Sequence, residues 1–210
     1  MAGFDRIGMP KHVLTFVLLA VGGAVFGILS SLVNTSPLWA IPSKILGMGW
    51  SWAALGIVAA ALVPRAPIRS ALMVLLCAVF SYYGSDLSLG LYASIEGTAW
   101  DVLAGDAGIW AAASVLACVP LGMIGAALRR PDVLGVLARL AIPVGAAVEY
   151  FVLRLPGEVA LQPNPVTVAT YAIVATAGTV CAIAIVVRAA ARGELRWPGT
   201  RASRPDPSAG

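Results

Sequence analysis

Charge is scarce in this chain. Only 11% of its 210 residues are Asp, Glu, Lys or Arg, while 60% are apolar and mean hydropathy is +0.89. A soluble globule carries about 25% charged residues, so that class is excluded, and the same figures exclude disorder. Histidine is nearly absent: His12 stands alone where the chain enters its first apolar run. Without a second His or a carboxylate nearby in sequence, it reads as an interfacial residue rather than a ligand. Cys77, Cys118 and Cys181 lie inside apolar runs with no CxxC or Cys/His spacing. They read as packing residues, not as a zinc or cluster site. No cleavable signal peptide is evident, because the first run is too long for one and lacks a small-residue cleavage site after it. The first helix is therefore expected to remain in the mature protein. No internal repeat is discernible, which counts against an inverted-repeat transporter.

What is there is apolar sequence in lengths that cross bilayers. Runs at 13–32, 45–63, 70–91, 109–128, 133–153 and 166–187 each approach the roughly 20 residues that one crossing needs. The expected fold is an all-α polytopic membrane bundle of six transmembrane helices over residues 13–188, preceded by a short N-terminus, 1–12, and followed by a tail, 189–210. From Arg192 onward the composition is Arg, Pro, Gly and Ser, which predicts a flexible tail. Arg139, Pro143 and Glu149 interrupt the fifth run. Proline there predicts a kink, and Arg139 is expected to snorkel. The connection 92–108 could hold a short surface helix around Trp100, Val102 and Leu103. Gly23 with Gly27, and Gly122 with Ala126, have the spacing that lets helices approach closely.

Cations assign a direction to these crossings. Twelve of the fourteen Lys and Arg residues fall on one side of the alternating connections, leaving only Lys44 and Arg154 on the other. By the positive-inside rule both termini are cytoplasmic. The net charge of +4 is thereby explained by topology, because the cations lie along loop ends and a tail rather than on one helix face. A nucleic-acid partner is not expected.

The same topology gathers aromatic rings. Ten of the eleven Trp and Tyr residues belong to the outer half, with only Trp197 cytoplasmic. Interfacial belts normally form at both membrane surfaces, so this one-sidedness admits two readings: a belt, or an aromatic-lined cavity in the outer half. Asp86 and Glu149 are the only acids within the spans. An ionisable group in the hydrocarbon costs on the order of 2.5–3.5 kcal/mol on insertion scales, so it is rarely idle. Each acid also has a structural alternative. Glu149 could pair with Arg154 or Arg139, and Asp86 could reach the headgroups. Tyr82 and Asp86, four residues apart, share a helix face. With Glu149, Tyr150, Trp50, Trp52, Tyr83 and Trp110 they would define a greasy chamber with two acids and several π faces, suited to carbocation chemistry or to an organic cation.

In the strings Phe80-Ser-Tyr-Tyr-Gly-Ser-Asp86 and Val148-Glu-Tyr-Phe151, and in its length, layout and Ala/Gly/Val-rich composition, the chain resembles the small bacterial integral-membrane sesquiterpene cyclases of the drimentine type. The resemblance covers the hydrophobic region coarsely, and neither a DxDD nor a DDxxD motif is present. It implies a terpene cyclase, a multi-pass protein of the cell membrane, that protonates the terminal alkene of a farnesyl chain on a prenylated, indole-type acceptor. It further implies Glu149 as acid, Asp86 as terminating base or as the partner keeping Glu149 protonated, and a cation path lined by Trp50, Trp52, Tyr82, Tyr83 and Tyr150. No metal or other cofactor is called for, because no diphosphate leaves. The rival expectation is a small transporter, or a substrate-binding membrane subunit, for a lipophilic or cationic solute. Either way the expected partners are a lipophilic small molecule and the bilayer.

Overall fold

The computed structural model describes residues 11–35, 37–91, 101, 103–161 and 164–196. Among these residues it is 88% helical, with no strand. In chain order come α1 (Lys11–Asn34), a 3₁₀ turn (Pro37–Trp39), α2 (Ala40–Leu46), α3 (Gly49–Leu62) and α4 (Pro67–Ser88). A π turn (Leu103–Ala107) leads into α5 (Gly108–Ala127), which is followed by α6 (Val133–Val148), a π segment (Glu149–Arg154), α7 (Leu155–Leu161) and α8 (Pro165–Ala191). Tyr92, Trp100, Trp197, the rest of the 92–100 connection and the tail from 197 lie outside the described residues, as does the side chain of His12.

Among the described residues five helices are long and apolar enough to cross a membrane: Val13–Asn34, Pro67–Ser88, Ala104–Ala127, Val133–Ala160 and Pro165–Ala191. The second expected crossing differs from the straight helix read over 45–63. It is two helices, α2 and α3, bent by 56° at a short break. Glycines at 47 and 49 flank Met48, whose extended backbone (φ −93°, ψ 150°) is incompatible with helix. With 14 residues, α3 spans roughly 21 Å, less than the about 30 Å of a hydrocarbon core. The fifth crossing runs unbroken through Pro143 and widens to π geometry at Glu149.

Packing is inverted relative to a soluble domain. Small side chains such as Ala60, Ala71 and Ala78 are fully buried, whereas Leu116 is 78% and Ile173 67% exposed. In lipid, large apolar groups gain nothing by turning inward, so helices associate through small residues that admit close approach. Gly27 illustrates the point, since a Cβ there would collide with the Ala78 carbonyl of α4. Gly23 meets the Val74 carbonyl in the same way, and Gly122 of α5 lies against Ile68, where an added Cβ would come within 2.8 Å of backbone. Helices α1, α3, α4 and α5 form one packed group, and α6 with α8 a second; α2 and α3 join them.

Successive crossings run in alternate directions, which gives the bundle two chemically distinct ends. One end, called here the near end, carries Arg65, Arg69, Arg129, Arg130, Arg188, Arg192 and Arg196. Arg139 extends to this end too, pairing with Glu194 at 2.8 Å and donating to the Arg130 and Gly135 carbonyls at 3.0 and 2.9 Å. Residues expected to begin the flexible tail are instead tied down. Helix α8 continues to Ala191, Glu194 holds Arg139, and the Arg196 carbonyl accepts from the Val133 amide at 3.2 Å. The opposite, far end holds the α2–α3 break and both intramembrane acids.

Candidate site at the broken helix

A helix broken within a bilayer exposes carbonyls on one side and amides on the other, and lipid supplies partners for neither. At the α2–α3 break nearly adjacent side chains do so. The Glu149 carboxylate accepts from the Gly49 amide at 3.0 Å and from the Trp50 amide at 2.8 Å, one oxygen to each. Its neighbour Tyr150, wholly buried, donates its hydroxyl to the Lys44 carbonyl at 2.6 Å. The Leu46 carbonyl accepts from the Ser51 hydroxyl and the Trp52 indole, both at 3.0 Å. Thus α2 is closed at its C-terminal end and α3 at its N-terminal end. Glu149 and Tyr150 are consecutive in the π segment, whose wider turn aims both toward the break. The Arg154 guanidinium, half exposed, stands 3.6 Å from Glu149.

Rings collect in two groups beside the break. Trp52 meets Phe26 edge-on at 5.3 Å and Tyr82 at 6.1 Å, and Tyr82 meets Tyr83 at 5.2 Å. Asp86 belongs to this side. It is 5% exposed and accepts from the Ser31 hydroxyl at 2.5 Å, while Asn34 donates to the Tyr82 hydroxyl at 3.2 Å. The second group is Tyr150 with Tyr171, centroids 5.0 Å apart, packed with Met48, Ala175 and Trp50.

The expected residues therefore sort into two places. Trp52, Tyr82, Tyr83 and Asp86 form one side; Trp50, Tyr150 and Glu149 form the other; the first turn of α3 lies between them. Asp86 packs through α4 on α1, α3 and α5, whereas the Glu149 segment packs chiefly on α6, α7 and α8. Among the described residues Asp86 and Glu149 thus belong to different groups of packed helices rather than to one chamber. The two hollows that stand out among the described residues lie elsewhere: about 540 Å³ along Ala172, Ile173, Thr176, Ala177, Val180 and Cys181, and about 350 Å³ at the α3–α4 turn. Trp110 joins neither ring group. It is 58% exposed at the start of α5, in the position of a belt residue.

Ser31, Phe26, Asn34 and Ser51 were not singled out from sequence. Gly47-Met48-Gly49 within an apolar run is the local signal that marks the break, and it predicts that orphan amides there need a partner. Comparison with protein-family models, with curated proteins and with solved structures finds no match for this chain. What the fold defines is a class: an all-helical protein with five or six helices apolar enough to cross a membrane, in which a bent helix pair, α2–α3, is clamped by a neighbouring turn.

Proposed function

We propose that this protein binds a lipophilic or cationic solute at the far end of the bundle, beside the α2–α3 break, as a small transporter or a substrate-binding membrane subunit. One observation carries the reading: the two helix ends that face the α2–α3 break are tied by consecutive side chains, Glu149 and Tyr150, of one π segment. Irregular backbone at that depth is tolerated where protein or a water-lined site covers it, and transporters place solute sites at such discontinuities. A rearrangement of a single turn would release both helix ends together. The rings of Trp52, Phe26 and Tyr82 supply faces for a desolvated cation, worth about 2 kcal/mol each at best.

The test uses a lipophilic cation, tetraphenylphosphonium, titrated into the full chain in nanodiscs with indole fluorescence as readout. Saturable quenching, weakened at least tenfold by Trp52→Leu, is expected. Quenching that rises linearly and is the same in both proteins, as partitioning into lipid would give, refutes the site. The near end faces the cytoplasm in this reading, by the distribution of arginine. Cysteine labelling of intact cells checks it: position 201 should be shielded from an impermeant reagent and position 97 accessible.

A second reading, proton-initiated cyclisation of a farnesyl chain, is favoured by the burial of Asp86 within a helical turn of Tyr82 and beside the ring run. The proton-donor role then moves to Asp86, because both Glu149 oxygens accept from backbone amides of α3. Asp86 adds its proton to the terminal alkene, the rings close through tertiary cations, and the Asp86 carboxylate so formed takes a proton from the carbon next to the last cation, forming the product alkene and restoring the acid. Cells given farnesylated indole acceptors should form cyclised product with the parent chain and none with Asp86→Asn. Absence of product with the parent protein across such acceptors removes this reading and leaves the first intact.

A further inference from the structure

The arginines of the near end are unequally occupied. Arg130 is bound to Asp132 at 2.7 Å, Arg139 and Arg192 lie against Glu194 at 2.8 and 3.8 Å, and Arg129 closes the C-terminal end of α3 by donating to the Ala61 carbonyl at 3.1 Å. Arg65, Arg69, Arg188 and Arg196 are different: all four are exposed, and among the described residues none meets a carboxylate within 4.0 Å. Arg65 and Arg69 stand four residues apart across the α3–α4 turn and, with Ala66, Pro67 and Ile68, line an open hollow of about 350 Å³.

Two exposed guanidiniums and three apolar residues lining one hollow, at the turn between two apolar helices, have a particular chemical complement. Guanidinium binds phosphate oxygens through paired N–H donors. Ala66, Pro67 and Ile68 are suited to the glycerol and first methylenes of a lipid, which a free anion lacks. Basic pockets at helix ends take lipid headgroups for these reasons. Among the described residues no carboxylate competes there, in contrast to Arg130 and Arg139. We propose that the hollow between Arg65 and Arg69 holds the phosphate of an anionic phospholipid, bound as a discrete molecule. The site is remote from the α2–α3 break and stands whether or not the solute reading does.

The experiment is native mass spectrometry of the detergent-solubilised full chain, titrated separately with dioleoyl-phosphatidylglycerol and dioleoyl-phosphatidylcholine. The first phosphatidylglycerol should bind at least tenfold more tightly than the first phosphatidylcholine. Arg65→Gln/Arg69→Gln should weaken it about 25-fold, at roughly fivefold for each arginine. Arg188→Gln, at the same end but outside the hollow, should change it less than about twofold, on the expectation for a cation that makes no direct contact. Arg65→Lys/Arg69→Lys retains charge without the paired donors, so it guards against loss of fold and is expected to fall between. Equal affinity for the two lipids overturns the proposal, as does a double Gln variant that binds like the parent. So does displacement of the lipid by millimolar inorganic phosphate, which would make the hollow a site for a free anion.

Discussion

Replacing Glu149 with alanine removes the partner of two backbone amides without touching the backbone. The Gly49 amide makes the more exposed of the two bonds. The Trp50 amide, at 2.8 Å and partly buried, is left without a partner. An unsatisfied buried donor costs about 1–3 kcal/mol, a range that includes the about 0.5–2 kcal/mol of a lost N-cap. For a chain of this size each kcal/mol moves the midpoint by about 2–4 °C, so thermal unfolding in detergent should fall by roughly 2–12 °C. Amide exchange at Gly49 and Trp50 should accelerate selectively, since the other amides of α3 have carbonyl partners. Arg154→Ala provides the internal comparison. At 3.6 Å and half exposed, that pair is worth about 0–1 kcal/mol. Glu149→Gln, which keeps one acceptor oxygen, should fall between. If Glu149→Ala melts with the parent and its Gly49 and Trp50 amides exchange no faster, the clamp is not what holds the break, and the function proposed for it loses its basis.

Tyr150→Phe preserves the ring and deletes the hydroxyl that closes Lys44, so a loss of about 1–2 kcal/mol is expected in the same assay, whereas Tyr150→Ala should cost about 3–5 kcal/mol from the emptied core. A double-mutant cycle on Ser31→Ala and Asp86→Asn should return a coupling of about 1–3 kcal/mol; coupling near zero would mean the 2.5 Å contact is not formed in solution. Gly27→Ala should destabilise by about 1–3 kcal/mol by forcing α1 from α4, while Gly22→Ala, which would meet nothing within 4 Å, should be silent in the same unfolding measurement. Asp132 caps α6 from outside the membrane, and hydrogen bonds from Arg130 hold its carboxyl below the ordinary value, aided by the Gly135 amide. Its contribution is thus fully present above the ordinary carboxylate value of about 3.9 and fades as pH falls through the lower folded value. Protection of the Gly135 amide should follow that acid titration, and Asp132→Asn, still a good cap, should abolish the pH dependence.

The aromatic and acidic residues at the far end were legible as a set, because their depth follows from counting along each run. Their partition was not. Trp50 and Trp52 look equivalent in sequence, yet the break sends one toward Tyr150 and Tyr171 and the other toward Phe26 and Tyr82. Glu149 looked like a donor because a carboxyl in an apolar run suggests chemistry. The amides that occupy it belong to a helix start that hydropathy alone conceals. Trp110 shows the converse, since membership in the outer half did not bring it to the ring groups.

The run lengths, the alternation of their direction and the concentration of arginine at one end were determined by the sequence itself. Hydropathy and charge act residue by residue, and an unbroken helix satisfies its own backbone, so these properties need no knowledge of neighbours. The 56° bend, the separation of Asp86 from Glu149 and the closure of two helix ends by adjoining residues were decided by tertiary structure. They depend on a carboxylate finding amides one hundred residues away, and on how far small side chains let each pair of helices approach and turn. Those are properties of contacts between segments, which no single segment encodes.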